Sequence, residues 1–148
     1  MPKLEDRNAK LGESLVATTA RVRDFTDLQV WQLARDLRKQ IYGVFHGFPA
    51  EERYALTQQL RRAAISITAN IAEGFGRYSY QENVQFCRLA RGSAYEVRDH
   101  LFTAYDQRYL ATEEHQRLEA LARRVIMTLN GYIRSTQARQ KAEPRARS

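Results

Sequence analysis

The sequence predicts an all-α fold, an antiparallel up-down-up-down four-helix bundle. Apolar residues recur at three- and four-residue spacing in four long segments, and no segment shows the alternation that is typical of a strand. Short connections join these segments, which favours antiparallel packing of consecutive helices. We expect four helices at about 27–46, 50–74, 80–106 and 113–137.

The first predicted helix begins at a capping motif. Thr26 is placed as the N-cap with Gln29 three residues later, and Phe25 and Val30 have the spacing of a hydrophobic staple. The inner face of this helix is expected to carry Val30, Ala34, Leu37, Ile41 and Val44. Because proline cannot continue a helix, Phe48-Pro49 is expected to mark its end.

The second predicted helix begins with Pro49, followed by Glu51 and Glu52 near the positive end of the helix dipole. Its inner stripe is expected to contain Leu56, Leu60, Ala63, Ala64, Ile67 and Ile71. Gly74 and Gly76 are expected to end it as a glycine C-cap. Residues 63–72 are small or apolar almost all round, so this helix is expected to be buried on two sides.

The third predicted helix begins at Ser79, with Glu82 completing a capping box. Its inner residues are Phe86, Ala90, Ser93, Ala94, Val97, Leu101 and Ala104. The fourth begins after Thr112 with two glutamates in its first turn, and its inner residues are Leu118, Leu121, Ala122, Val125, Leu129 and Tyr132. The bundle therefore spans residues 25–137.

Both ends of the chain are expected to lie outside the bundle. Residues 1–24 show weak periodicity and are expected to form a weakly structured arm. Residues 138–148 carry four basic residues and one acidic residue and cannot bury apolar surface, so a basic disordered tail is expected there.

Composition limits the class of protein. A chain of 148 residues with 43% hydrophobic and 28% charged residues is typical of one soluble globular domain. No segment is apolar and long enough to cross a bilayer, and the N-terminus lacks the apolar region of a secretory signal. A single cysteine, Cys87, fits a reducing compartment. We therefore expect a cytoplasmic protein without a membrane partner.

The chain is basic, with a net charge of +7. Of its 24 basic residues 20 are arginines, whose planar guanidinium groups bind phosphates in a bidentate manner. A GC-rich genome also raises arginine content, so composition by itself supports nucleic-acid binding only weakly.

The outer face of the second helix is unusually apolar. Opposite its inner stripe lie Arg62, Ile65, Ala69 and Ala72. Either this is an ordinary exposed face, or it is a subunit interface where small residues let helices approach closely. Because the third helix repeats the pattern, the interface is the favoured interpretation.

The outer face of the third helix combines arginine with aromatic residues. Tyr95 and Phe102 are seven residues apart and are expected to anchor an oligomer contact, or to stack on bases while arginines hold phosphates. The candidate nucleic-acid contacts of the third and fourth helices are Arg88, Arg91, Arg98, Arg123, Arg124 and Arg134. A charged helix face of this kind is also compatible with simple solvation.

No catalytic set is evident. His46, His100 and His115 are scattered without metal-ligand spacing and are expected at helix ends or on the surface. Cys87 is expected to be a small buried or half-buried residue rather than a nucleophile. Asn70 and Glu73 are expected to make capping or interhelical hydrogen bonds. We therefore expect no enzyme activity, no cofactor and no metal.

Three motifs resemble a known family. They are Phe25-x-x-Leu28-x-Val30-Trp31-x-x-Ala34, Gln59-x-x-Arg62-Ala63-Ala64-x-Ser66-Ile67-x-x-Asn70-Ile71-Ala72-Glu73-Gly74 and Arg91-Gly92-Ser93-Ala94-x-Glu96. Over about residues 25–133 the chain resembles the bacterial four-helix-bundle proteins encoded within intervening sequences of 23S ribosomal RNA genes. That family is related to the accessory variability proteins of diversity-generating retroelements.

The resemblance implies a homo-oligomeric, pentameric barrel with basic surfaces that binds RNA or DNA, and no catalytic activity. Its retroelement relatives also bind a reverse transcriptase, so a protein–protein adaptor remains the alternative function. The family has no sharp set of binding residues, and none is transferred to this chain.

Overall fold

The computed structural model describes residues 22–143. Within that range the chain is helical and contains no strand, which confirms the all-α prediction. Four long helices follow one another: α1 (Gln29–Val44), α2 (Leu56–Phe75), α3 (Tyr80–Asp106) and α4 (Thr112–Ala142). Short 3-10 turns at Phe25–Asp27, Phe45–Gly47 and Ala50–Glu52 precede α1 and link it to α2.

The four helices form a closed bundle in which consecutive helices pack against each other and α4 also packs against α1. Polar contacts show the antiparallel sense of α3 and α4. Arg91 donates to Asn130, and Arg98, seven residues later in α3, donates to Glu119, which comes earlier in α4. The two helices therefore run in opposite directions. On the other side of α3, the Ser93 hydroxyl donates to the Ser66 hydroxyl of α2 at 2.9 Å.

The core contains the predicted inner stripes. All the predicted inner residues of α1 and α2 are buried, and so are most of those of α3 and α4. Phe86, Ser93, Leu121 and Tyr132 are only half-buried. The core also includes Val84, Cys87, Ile126 and Ile133, which the sequence stripes did not contain.

The starts of α1 and α2 differ from the prediction. Thr26 is not an N-cap, because residues 25–27 form a 3-10 turn and its hydroxyl donates to Asp24. Leu28 precedes α1 instead. α2 begins at Leu56 rather than near residue 50, since the backbone of Ala55 (φ −121°, ψ −105°) interrupts the helix. By contrast, Ser79 is confirmed as the N-cap of α3, accepting from the Glu82 amide at 3.1 Å.

Of the two glycines predicted to end α2, Gly76 is the C-cap residue, with a φ of −76°, whereas Gly74 has a different role. Neither has a positive φ, so neither forms a left-handed glycine cap. Gly74 lies inside the helix and is buried where α3 crosses it. A Cβ atom at Gly74 would lie 2.8 Å from the Cβ of Phe86 and 3.1 Å from the carbonyl oxygen of Asn83. Glycine at this position therefore permits the close approach of α2 and α3.

α4 is longer than predicted. It continues to Ala142, so residues 138–142 are helical rather than part of a tail. Thr136 is buried, and the Tyr80 hydroxyl at the start of α3 donates to the Glu143 carboxylate, which explains why the last turns pack against the bundle. The rest of the predicted tail (144–148) and most of the predicted arm (1–21) lie outside the described residues.

Candidate functional site

The outer residues predicted on α2 occupy three environments. Ile65 is 42% exposed and lines a groove between α1 and α2. Ala69 is exposed and Ala72 is half-buried. The side chain of Arg62 is 70% exposed, with its guanidinium 3.8 Å from the Glu96 carboxylate of α3. Within one chain this face is therefore open, so the second buried side expected of the helix is not formed by the chain itself, and Ile65 points toward α1.

Tyr95 and Phe102 are both exposed on α3, at 52% and 45%. The Phe102 ring lies edge-on to His115 of α4, with centroids 4.7 Å apart, and Tyr105 stacks on His115 at 4.6 Å. His115 lies in the first turn of α4, at a helix end as predicted, but it is buried beneath these rings rather than at the surface. The two aromatic residues lie on the side of α3 that faces α4.

Three of the six candidate arginines have polar partners within the chain. Glu119 of α4 accepts from Arg98 at 2.8 Å and from Arg123 at 3.3 Å. The hydrogen bond to Glu119 is the main cause that raises the pKa of Arg98. Arg91 donates to the side-chain oxygen of Asn130 at 2.8 Å. The Glu119 carboxylate therefore compensates part of the positive charge predicted for this surface, whereas the neutral Asn130 amide leaves the charge of Arg91 uncompensated.

The other three candidates, Arg88, Arg124 and Arg134, are exposed. None forms an ion pair with a carboxylate among residues 22–143. Arg88 also lines a groove of about 280 Å³ between the start of α3 and the end of α4, whose other walls are Gln81, Val84, Gln85, Gln137 and Gln140. These arginines are the part of the predicted set that is available to an anionic ligand.

A second basic surface, on α1, was missed. Trp31, Arg35, Arg38, Tyr42 and Phe45 follow at alternating four- and three-residue intervals and form one strip along the helix, here called the α1 strip. The four- and three-residue spacing of these side chains in the sequence would have been sufficient to predict this surface.

The α1 strip is held by contacts with α2. The Arg61 guanidinium lies 5.6 Å from the ring centroid of Tyr42 and 5.3 Å from that of Phe45. Arg38 donates to the Thr68 hydroxyl at 2.9 Å. Within α1 itself, Arg35 lies 5.6 Å from the Trp31 ring. Along this edge of α1, two arginines therefore lie between the Trp31 ring and the rings of Tyr42 and Phe45.

In the part of the chain that the structure describes, the buried polar side chains are Thr57, Thr68, His115 and Thr136, and Cys87 is buried in the apolar core. Burial raises the pKa of the Cys87 thiol to about 12, which keeps it protonated. Within the described range, Asn70 and Glu73 do not make the capping or interhelical hydrogen bonds that were expected of them: Asn70 donates to Ser66 within α2, and Glu73 pairs with Arg77 at the surface. Among residues 22–143 no group of three His, Cys, Asp or Glu side chains is placed to hold a metal ion. None of the described helices has the length and apolarity needed to cross a membrane.

Comparison with known proteins identifies the family. Residues 26–131 match the family described as 23S rRNA-intervening sequence protein. A crystal structure of a protein of unknown function from the S23 ribosomal protein family of Bacteroides thetaiotaomicron has the same fold, with a TM-score of 0.65 at 19% identity. The match covers 70% of this chain and 97% of that one. No curated protein matches the chain. Since the family match extends over more than half of the sequence, the chain belongs to the 23S rRNA-intervening sequence protein family.

Proposed function

We propose that this chain is a non-catalytic, homo-oligomeric nucleic-acid-binding protein of the cytoplasm, with RNA or DNA as its ligand. The observation that carries the proposal is the set of exposed cations without a carboxylate partner in the described range. They include Arg88, Arg124 and Arg134 on α3 and α4, and Arg35 and Lys39 on α1. Such groups keep their full charge for an external anion.

Phosphate is the anion that this surface suits. A guanidinium group donates two parallel hydrogen bonds to a phosphate, and each neutralised phosphate releases counterions into the solution. The affinity is therefore expected to fall steeply as salt rises. A mobility-shift titration of structured RNA and structured DNA at several salt concentrations tests the proposal. A linear decrease of log affinity with log salt is expected, and the absence of binding at low salt would overturn the proposal.

Self-association is the second part of the proposal. Exposed apolar positions lie on both sides of the contact between α2 and α3: Ala69 on α2, and Tyr95 and Phe102 on the α4 side of α3. Two different patches on one subunit favour head-to-tail contacts, which close into a ring when the rotation permits. The pentameric barrel that the family resemblance implies is one such ring. Ala69→Glu is expected to lower the mass measured by light scattering while leaving the helix content unchanged.

A protein–protein adaptor is the alternative. The exposed Tyr95, Phe102 and Met127 side chains favour it, because aromatic residues and methionine are enriched at protein interfaces. The resemblance to the retroelement accessory proteins implies a reverse transcriptase as the partner of such an adaptor. A pull-down of that enzyme which survives nuclease treatment would support the adaptor, whereas loss of the enzyme after nuclease treatment would support binding through nucleic acid.

A further inference from the structure

The α1 strip differs from the arginine and aromatic face of α3 in its charge balance. Arg98, which lies between Tyr95 and Phe102 on α3, is paired with Glu119, whereas neither arginine of the α1 strip forms an ion pair among the described residues. From Trp31 to Tyr42 the helix rises about 16 Å, and Arg35 and Arg38 lie between these two rings. Tyr42 is 45% exposed, so part of its ring remains accessible although Arg61 and Phe45 lie against it. This spacing places two positive charges between aromatic rings along a path several nucleotides long.

A groove runs beside the strip. It encloses about 540 Å³ between α1 and α2 and is lined by Arg38, Lys39, Tyr42 and Ile65. Tyr42 and Ile65 are the apolar walls, and the two cations supply the charge. Lys39 is exposed, whereas Arg38 is half-buried and fixed by its hydrogen bond to Thr68. The groove therefore offers an apolar surface and a positive charge at the same place.

The positive charge of this groove is not compensated by the chain. Among the described residues, none of Arg35, Arg38, Lys39 and Arg61 forms an ion pair. The only acidic residue of α1, Asp36, accepts from Gln40, which in turn accepts from Arg117 of α4. That carboxylate therefore lies on the α4 side of α1, away from the groove.

α2 adds no negative charge beside the groove, since residues 56–72 contain two arginines and no aspartate or glutamate. A second copy of this chain is a weaker match at this groove than a polyanion, because the chain carries a net charge of +7 and its exposed carboxylates, such as Glu82 and Asp99, lie on a helix that also carries the exposed Arg88. Charge complementarity instead favours a polyanion. The exposed ring and the apolar wall favour a polyanion with accessible flat apolar groups.

We propose that the groove between α1 and α2, together with the α1 strip, binds single-stranded nucleic acid. This inference rests on the proposed function and specifies its surface and its strand class. A base stacks on the exposed part of the Tyr42 ring and contacts Ile65, while Arg35, Arg38 and Lys39 bind the flanking phosphates. In a duplex the base faces are covered by neighbouring pairs, so a duplex would use the cations and leave the Tyr42 ring without a partner.

Arg61 helps to order the aromatic side chains of the site in the free protein. Its guanidinium already lies against the rings of Tyr42 and Phe45, so part of the ordering of these side chains has taken place in the free protein. A preordered site loses less conformational entropy on binding.

Fluorescence anisotropy with labelled oligonucleotides tests the inference on the full chain. The probes are oligo-U and oligo-dT of about 12 nucleotides, a length within the range that a single-strand-binding domain covers, and a duplex of equal length. Tyr42→Ala is expected to weaken single-strand binding about 5- to 100-fold, because base–aromatic stacking is lost. Tyr42→Phe keeps the ring and is expected to bind within about threefold of the wild type. The two oligonucleotide probes distinguish RNA from DNA.

The matched controls lie away from the groove. Tyr78→Ala removes a fully exposed tyrosine in the connection between α2 and α3, and is expected to bind as the wild type does. Lys39→Gln is expected to reduce the slope of log affinity against log salt by about one. Arg117 belongs to α4 and donates to Gln40 on the side of α1 away from the groove, so Arg117→Gln is expected to leave this slope unchanged.

The outcomes separate this inference from the proposed function. If the wild type binds oligonucleotides but Tyr42→Ala and Lys39→Gln bind equally well, the inference is overturned and the proposed function stands. If Tyr42→Ala lowers the affinity for duplex and for single strand by the same factor, the single-strand assignment is overturned. It is also overturned if polyglutamate competes for the site as well as an oligonucleotide of the same charge does. If the wild type binds no nucleic acid at low salt, the proposed function itself fails.

Discussion

Gly74 provides the sharpest test of how the bundle is packed. In Gly74→Ala the new methyl group would lie 2.8 Å from Phe86 Cβ, 2.9 Å from Asn83 Oδ1 and 3.1 Å from the Asn83 carbonyl oxygen. The first and third of these atoms cannot move without a shift of the α3 backbone. Overpacking of this kind costs about 2–3 kcal/mol, the upper part of the usual range. Alanine regains about 1 kcal/mol of helix propensity, so a net destabilisation of about 1–2 kcal/mol is expected.

Thermal unfolding followed by circular dichroism at fixed protein concentration measures this effect, and a decrease in Tm of about 5 °C is expected. Gly43→Ala is the matched control. A Cβ at Gly43 would meet no atom within 4 Å, so the same substitution there is expected to stabilise α1 by about 0.5 kcal/mol. The reasoning is refuted if Gly74→Ala raises the Tm as Gly43→Ala does.

Three further predictions concern single sites. Arg108 follows α3 with a φ of 64°, a conformation that glycine adopts without strain, so Arg108→Gly is expected to raise the free energy of unfolding by about 0.5–1 kcal/mol in urea denaturation; a decrease would contradict this. Cys87, with its pKa raised to about 12, is expected to resist iodoacetamide at neutral pH until the protein unfolds, and rapid labelling of the folded chain would contradict its burial. Glu119→Ala leaves the half-buried Arg98 without its carboxylate and is expected to cost about 1–3 kcal/mol in the same denaturation assay; an unchanged midpoint would show that the pair contributes nothing.

Periodicity in the sequence was sufficient for the number of helices and for most of the core. The stripes of α1 and α2 were predicted residue by residue, because an amphipathic helix must bury its apolar face whatever its partner. The role of Gly74 was not predictable in this way, since it depends on where α3 crosses α2. The burial of His115 likewise depends on Phe102 and Tyr105 of another helix.

The sequence was sufficient to predict that candidate arginines of α3 and α4 lie at the surface, but not which of them are paired with carboxylates. Outward directions of Arg88, Arg124 and Arg134 follow from helical geometry, and the structure places these residues at the surface. That Arg98 meets Glu119 could not be deduced, because the register of α3 against α4 is set by the packing of both helices. The placement of two arginines between aromatic residues along α1 could be predicted from spacing, but the lack of a carboxylate partner for them among residues 22–143 could not.

Mass measured by light scattering, with and without oligonucleotide at low salt, tests the central proposal most directly. The subunit mass is 17.2 kDa. An oligomeric nucleic-acid-binding protein is expected to show a multiple of this mass, with a further increase when RNA or DNA is added. A species of 17.2 kDa whose mass does not change on addition of either nucleic acid would contradict both the assembly and the binding.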